Sequence, residues 1–211
     1  MPFVRTELVV LCVQDGDLKV LMSRRQEAPH KGLQGLPGGV LRIDLDDSLE
    51  AAAQRVARER LGQPLPNLSQ LGAVGGKERD ERAPWALSVV YRSLVQPDLR
   101  PTPGKRVVSL DWLPVGEVMG QAGFAFDHAE LVTRAVADTR GQIEGLRFPA
   151  GWVPEPFTLP ELQSFCEAVL GRSLDKVTFR RRIDAAGQVQ ALEGAQRTGG
   201  AFRPAQLYRL S

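Results

Sequence analysis

The sequence predicts an α/β chain in two parts: a mixed sheet with helices packed on it, then a small basic helical unit closed by a hairpin. Three observations carry this. Apolar stretches with strand character bracket a glycine turn and a helix over residues 32–62. A proline- and glycine-rich segment follows at 148–156 and reads as a linker. Beyond it come a capped helix, a turn, an arginine-rich helix and a glycine-rich hairpin, in that order.

Taken in order, Thr6–Val13 reads as a strand, Asp15-Gly16-Asp17 as its turn and Leu18–Ser23 as the hairpin partner. Arg24 and Arg25 follow directly. Leu36-Pro37-Gly38-Gly39 is a tight glycine turn, succeeded by an acidic loop. Ser48 has N-cap chemistry, and Leu49, Ala52, Ala53, Val56 and Arg60 recur at helical spacing until Gly62 and Pro64 end the helix. Leu68–Ala73, Trp85–Val95 and Val107–Leu113 supply further strands. The charge-dense Gly75–Arg82 between the first two is expected to be a mobile, solvent-exposed connection. Phe124–Glu130 opens a second helix, with Asp127 and Glu130 at capping-box spacing and an end expected near Gly141 or Gly145. His128 falls in its first turn, where a surface or packing role is expected. His30 lies in a loop without an identifiable partner.

Composition bounds the function. The chain has 211 residues, enough for one large or two small domains, and is 43% hydrophobic and 25% charged, as ordinary globular proteins are. Cys12 and Cys166 each sit in an apolar run and read as small core residues rather than a disulfide or metal pair. No apolar run is long enough to span a membrane, so a cytoplasmic protein is expected. From Gly171 onward eight basic residues face three acidic ones, about +5, although the whole chain carries only +2. A basic end on a slightly acidic body calls for an anionic partner there.

The stretch Gly32–Gly62 resembles the Nudix box, the loop-helix signature of hydrolases that cut nucleoside diphosphates linked to another moiety. The LPGG turn, Asp47-Ser48-Leu49, Ala52, Ala53, Arg55, Glu59 and Gly62 carry the likeness. In that family three helix glutamates hold Mg²⁺, and the spacing i, i+3, i+4 gathers them on one helix face. The same positions here are Val56, Glu59 and Arg60. One carboxylate of three is kept, Asp47 stands for the first glutamate of the motif, and the loop from Gly39 to Asp47 is two residues longer than the family spacing. Val56 offers no ligand and Arg60 puts a permanent cation where a metal would sit. The remnant (Asp47, Arg55, Glu59) is therefore expected to be non-catalytic, with Glu59 at most a weak metal ligand and Mg²⁺ required only if hydrolysis survives. Arg24, Arg25, Gly38, Gly39 and Arg60 are the candidate ligand-binding residues, a guanidinium being able to grip a diphosphate by charge-assisted bonds.

In the second part Thr158-Leu-Pro-Glu161 is a capping box, and Leu162, Phe165, Val169 and Leu170 give the helix an apolar side before Gly171 stops it. Asp175 caps a second helix over Lys176–Ala186, whose inner face is expected to hold Phe179, Ile183 and Ala186. Strands are expected at Gln188–Leu192 and Gln206–Leu210, with Arg197–Pro204 as a basic hairpin. That plan is a winged helix-turn-helix, in which the second helix enters the major groove. Lys176, Thr178, Arg180, Arg181, Arg197 and Arg203 are the candidate DNA-binding residues.

FAFDHAELVTRA, FTLPELQ, LGRSLDKVTFRRRI and RPAQLYRL, downstream of the box, resemble the Nudix-related transcriptional regulators of NAD metabolism, the NrtR family. The resemblance implies a Nudix α/β/α sandwich over 1–150 and a winged helix over 151–211. It also implies a homodimeric DNA-binding repressor that senses ADP-ribose or a related nucleotide. The alternatives are a Mg²⁺-dependent ADP-ribose or nucleotide-sugar pyrophosphatase, using Glu78 or Glu81 from the loop, and a ligand-binding adaptor that contacts protein.

Overall fold

The computed structural model describes residues 3–197 and 204–211, so Arg203 and the hairpin tip lie outside the described residues. Contacts gather the chain into two compact units, one built on Lys19–Ala137 with the strand up to Cys12, the other on Asp138 onward with Val13–Leu18.

The first unit is built on a mixed sheet. Strands β1 (Phe3–Gln14), β2 (Asp17–Arg25), β3 (Gln34–Gly35) and β4 (Gly38–Val40) precede helix α1 (Leu49–Leu61). Strands β5 (Ser69–Gly76), β6 (Ala86–Val95) and β7 (Val107–Pro114) precede helix α2 (His128–Glu144). The sheet runs β3-β2-β1-β6-β5, with β4 added to β1 and β7 to β2. Strands β1 and β6 run parallel and make the centre. Eight consecutive residues of β1, Arg5–Cys12, are buried. A strand covered on both faces reads as a continuous apolar run, which is why the sequence shows no alternation there.

Helix α1 covers one face. Ala53, Val56, Ala57 and Leu61 share a core with Leu8, Val10, Cys12, Leu21, Val89 and Tyr91. The intervening residues Val9, Leu11, Val20 and Met22 point the other way and are equally buried, as are Leu131, Val132, Ala135 and Val136 of α2. Ser48 caps α1 by accepting from Ala51 N, and Gly62 ends it in the left-handed conformation. Helix α2 ends at Glu144, before Gly145, with Gly141 inside it.

Two local expectations change. Asp127 does not form a capping box, because its carboxylate receives both Nε and NH2 of Arg79 at 2.8 Å, and Glu130 accepts from Arg134 instead. The charged loop before β6 is not a loose connection. Arg79 is tied to Asp127, and Asp80 is buried and accepts from Arg82, so alternating charges find partners inside the fold.

The second unit contains α3 (Leu159–Leu170), α4 (Lys176–Ala186), β8 (Val189–Arg197) and β9 (Ala205–Leu210). The Thr158–Glu161 capping box is formed in both directions, and Asp175 accepts from Thr178 N at 2.8 Å to cap α4. Leu162, Phe165, Cys166, Val169, Phe179 and Ile183 are buried, whereas Ala186 is exposed, one turn beyond where the inner face closes. Strand β8 runs to Arg197, further than its sequence suggests. The segment 148–156 is packed rather than a free linker: Trp152 and Val153 are buried, and Phe157 exchanges backbone hydrogen bonds with Tyr208 of β9 at 3.0 and 2.7 Å. Neither cysteine is in a disulfide, and both are buried. Among the described residues no helix is long and apolar enough to cross a membrane.

Candidate functional site

A cleft opens in the first unit where β4, the end of β2 and the last turn of α1 meet. Arg5, Arg25, Arg60, Arg82 and Arg106 line it, together with Gly38, Gly39 and Val40, and Glu27 is the one acid among its described lining residues. A second hollow lies alongside, lined by Arg42, Arg55, Glu59, Arg60, Lys105 and Arg106. Arg60 and Arg106 belong to both.

The glycines set the approach of the walls. A Cβ on Gly38 would stand 1.9 Å from Glu7 Oε2, and one on Gly39 would stand 2.8 Å from Val56 Cγ2. Only glycine lets β4 lie this close to both β1 and α1. Arg60 then crosses the gap, donating Nε to Gly38 O at 2.8 Å and NH1 to Lys105 O at 2.6 Å. Burial lowers the Arg60 pKa, and the like charges of Arg106, Arg5 and Arg55 lower it further, against a raising contribution from Glu59. Arg25 is lowered by burial and by the nearby Arg5 and Arg82. Like charges crowded with too few counter-charges make a standing demand for an anion.

Beneath the cleft lies a buried ionic network. Arg5 Nε donates to Glu7 Oε1 at 2.8 Å, and Arg5 NH1 lies 3.8 Å from Asp80 Oδ2. His128 Nδ1 accepts from Leu36 N at 2.8 Å, leaving Nε2 to face Glu7 Oε2 at 3.7 Å. His128 is thus a buried packing residue that fastens α2 to the LPGG turn. Burial opposes ionisation of Glu7, but Arg5, with His128, holds its carboxyl down at about 2. Phe126, at φ 53°, carries the guanidinium groups of Arg25, Arg5 and Arg82 at 5.0, 5.5 and 6.0 Å from its ring centroid. His30 meets the same ring edge-on at 4.5 Å. A bulky residue in left-handed backbone is strained and collects at functional sites.

The candidate residues sort clearly. Arg25, Gly38, Gly39 and Arg60 come together in the cleft, whereas Arg24 turns to solvent and donates to Gly32 O at 2.9 Å, because neighbours on a strand point to opposite sides. Asp47 is exposed. Its neighbour Asp46 accepts from Arg55 Nε at 2.7 Å and NH2 at 2.8 Å, while Arg55 also reaches Val40 O at 2.9 Å. We expect Asp46→Asn to lower stability by about 2 kcal/mol and Asp47→Asn by less than about 0.5 kcal/mol, measured by urea unfolding. Arg5, Arg82 and Arg106 were not singled out by sequence, since they come from three separate segments.

The cleft does not fit Mg²⁺. Val56 is buried and apolar, Arg60 fills a second ligand position with a cation, and Glu59 lies 3.4 Å from Arg55. Glu78 and Glu81 are exposed and line neither hollow. Among the described residues no cluster of three or more His, Cys, Asp or Glu is arranged to hold a metal.

In the second unit the arginines divide in two. Arg140, Arg172, Arg182, Arg197 and Arg209 all bond to acceptors within the unit. Arg182 NH2 donates to Glu144 O at 2.6 Å, a cation on the C-terminal end of a helix. Arg197, a candidate for the wing, donates to Glu161 Oε1 at 2.5 Å and to Pro156 O at 2.8 Å, since β8 carries it back to the start of α3. Lys176, Thr178, Arg180 and Arg181 are exposed on α4, and the side chains of Arg180 and Arg181 have no hydrogen-bond or ion-pair partner among the described residues.

Comparison with known proteins accounts for both units. The model of the NUDIX domain matches residues 4–135, and that of the NrtR DNA-binding winged helix domain matches residues 149–210. A curated relative from Acinetobacter baylyi (strain ATCC 33305 / BD413 / ADP1), the ADPR responsive transcriptional repressor NtrR, is 31% identical over 100% of this chain and 82% of its own. The crystal structure of Shewanella oneidensis NrtR superposes with a TM-score of 0.80 at 33% identity, covering 99% of this chain and 94% of the other. The same protein complexed with a 27mer DNA gives 0.78 at 32%, covering 99% and 93%. Its NUDIX domain complexed with ADP ribose gives 0.61 at 31%, covering 66% and 89%.

Proposed function

The chain belongs to the NrtR family, and from that premise we propose that it is a DNA-binding transcriptional repressor of NAD metabolism genes whose Nudix domain senses ADP-ribose. The sensing part is taken as residues 1–150 and the reading part as residues 151–211. The arginine cleft is the observation that carries the proposal. Arg25, Arg60 and Arg106 offer forked donors to the oxygens of a diphosphate, and Gly38 and Gly39 keep the wall beside them open. Arg60 supplies in a fixed position the positive charge that a divalent ion brings to related hydrolases, without activating water. Binding without turnover follows.

On this reading the protein is a cytoplasmic homodimer, because a two-fold operator is read by two copies of one recognition helix. Isothermal titration with ADP-ribose, in Mg²⁺ and in EDTA, tests the sensing half. The expected result is the same affinity in both buffers and no AMP released. Turnover above about 1 s⁻¹ in Mg²⁺ would place the chain among working enzymes and overturn the reading.

A further inference from the structure

We propose that Val177 is a base-reading residue, seated against the 5-methyl group of a thymine in the major groove. The inference rests on the DNA-binding reading and adds to it the source of part of the sequence preference.

Helix α4 has a buried side at Phe179 and Ile183. Val177, Arg180, Arg181 and Asp184 recur at i, i+3, i+4 and i+7 and therefore share the side facing away from that core. Val177 is the first member of this stripe, in the first turn, and is 74% exposed. Recognition helices reach base edges with their N-terminal residues. Arg180 and Arg181, next along the stripe, are exposed cations with no internal acceptor among the described residues. Asp184 ends the stripe one turn further on, where a carboxylate repels phosphate. Contact is thereby confined to the first two turns, with Val177 at the front.

An exposed valine on this helix has no cost-free structural reason. It has poor helix propensity, and most of its surface faces solvent. The one apolar feature on the floor of the major groove is the thymine methyl, absent from cytosine and from uracil. A branched apolar side chain flanked by two guanidinium groups fits a thymine beside acceptor-rich bases or phosphates.

The test uses the full chain and a site selected from a random duplex library. Each thymine of that site is replaced in turn by deoxyuridine, which removes only the methyl. Wild type is expected to lose about fourfold in affinity at one position, or at a symmetric pair, the loss that follows from exposing one methyl-sized group. Val177→Ala, which removes the contact from both copies of the dimer, should bind the unmodified site about fifteenfold more weakly and show no further loss at that position. Val177→Ile, which keeps the contact, should retain sensitivity to the methyl. Uracil scanning that finds no sensitive thymine, or one equally sensitive in Val177→Ala, overturns the proposal and leaves DNA binding standing. Absence of any salt-sensitive DNA binding at about 50 mM salt overturns the DNA-binding reading itself.

Discussion

Glu7→Gln is expected to destabilise the protein by about 3 kcal/mol. The substitution keeps the shape of the side chain and removes only its charge. Arg5 is 5% exposed and Glu7 1% exposed, so the guanidinium would be left buried beside a neutral amide, with Asp80 at 3.8 Å as its remaining counter-charge. Removing one member of a buried ion pair costs far more than the pair contributes over an apolar replacement. The pH dependence has a definite sign. The folded pKa of Glu7 lies at about 2, below its unfolded value, so its contribution is complete above the unfolded pKa and is lost as pH falls from there through the folded value. Urea unfolding at pH 7 should separate wild type and Glu7→Gln by the full amount, and the gap should narrow at pH 3. A gap that stayed constant would show that Glu7 is not the titrating partner of Arg5.

Local signals in the sequence locate the helices well, because capping is local chemistry. Ser48, Thr158 and Asp175 each accept a hydrogen bond from the first turn of the helix they precede, and Gly62, Gly171 and Gly187 end theirs in left-handed backbone. Asp127 fails for a long-range reason: Arg79, in a distant loop, competes for its carboxylate. Arg197 likewise meets a partner distant in sequence, Glu161. The Val56 and Arg60 positions were readable from motif spacing alone. The cleft was not, since Arg5, Arg82 and Arg106 lie on β1, on the loop before β6 and at the start of β7, and only the sheet order brings them to Gly38 and Arg60. Composition also misled at 148–156, where prolines and glycines suggested slack chain while Trp152 and Val153 supplied core.

Replacing both Arg180 and Arg181 by alanine is expected to weaken specific DNA binding by at least about thirtyfold, on the basis of about 1–3 kcal/mol for each guanidinium that meets a base. Stability should hardly change, since both side chains are exposed and unpaired within the described structure. The single variants separate two kinds of contact. An arginine that pairs bidentately with guanine loses discrimination at one base pair when removed, whereas one that meets only phosphate weakens all sequences alike and lowers the salt slope by about one. Arg197→Ala provides the internal contrast. Its guanidinium is committed to Glu161 and Pro156 O, so its loss should appear first as a lower melting temperature and only weakly in the salt slope. If Arg197→Ala lowered the slope as much as Arg181→Ala while leaving the melting temperature unchanged, the wing and not α4 would be the principal phosphate contact. Fluorescence anisotropy from about 50 to 200 mM salt, beside thermal melts of wild type and the four variants, distinguishes these outcomes, because the electrostatic part of the affinity changes steeply over that range.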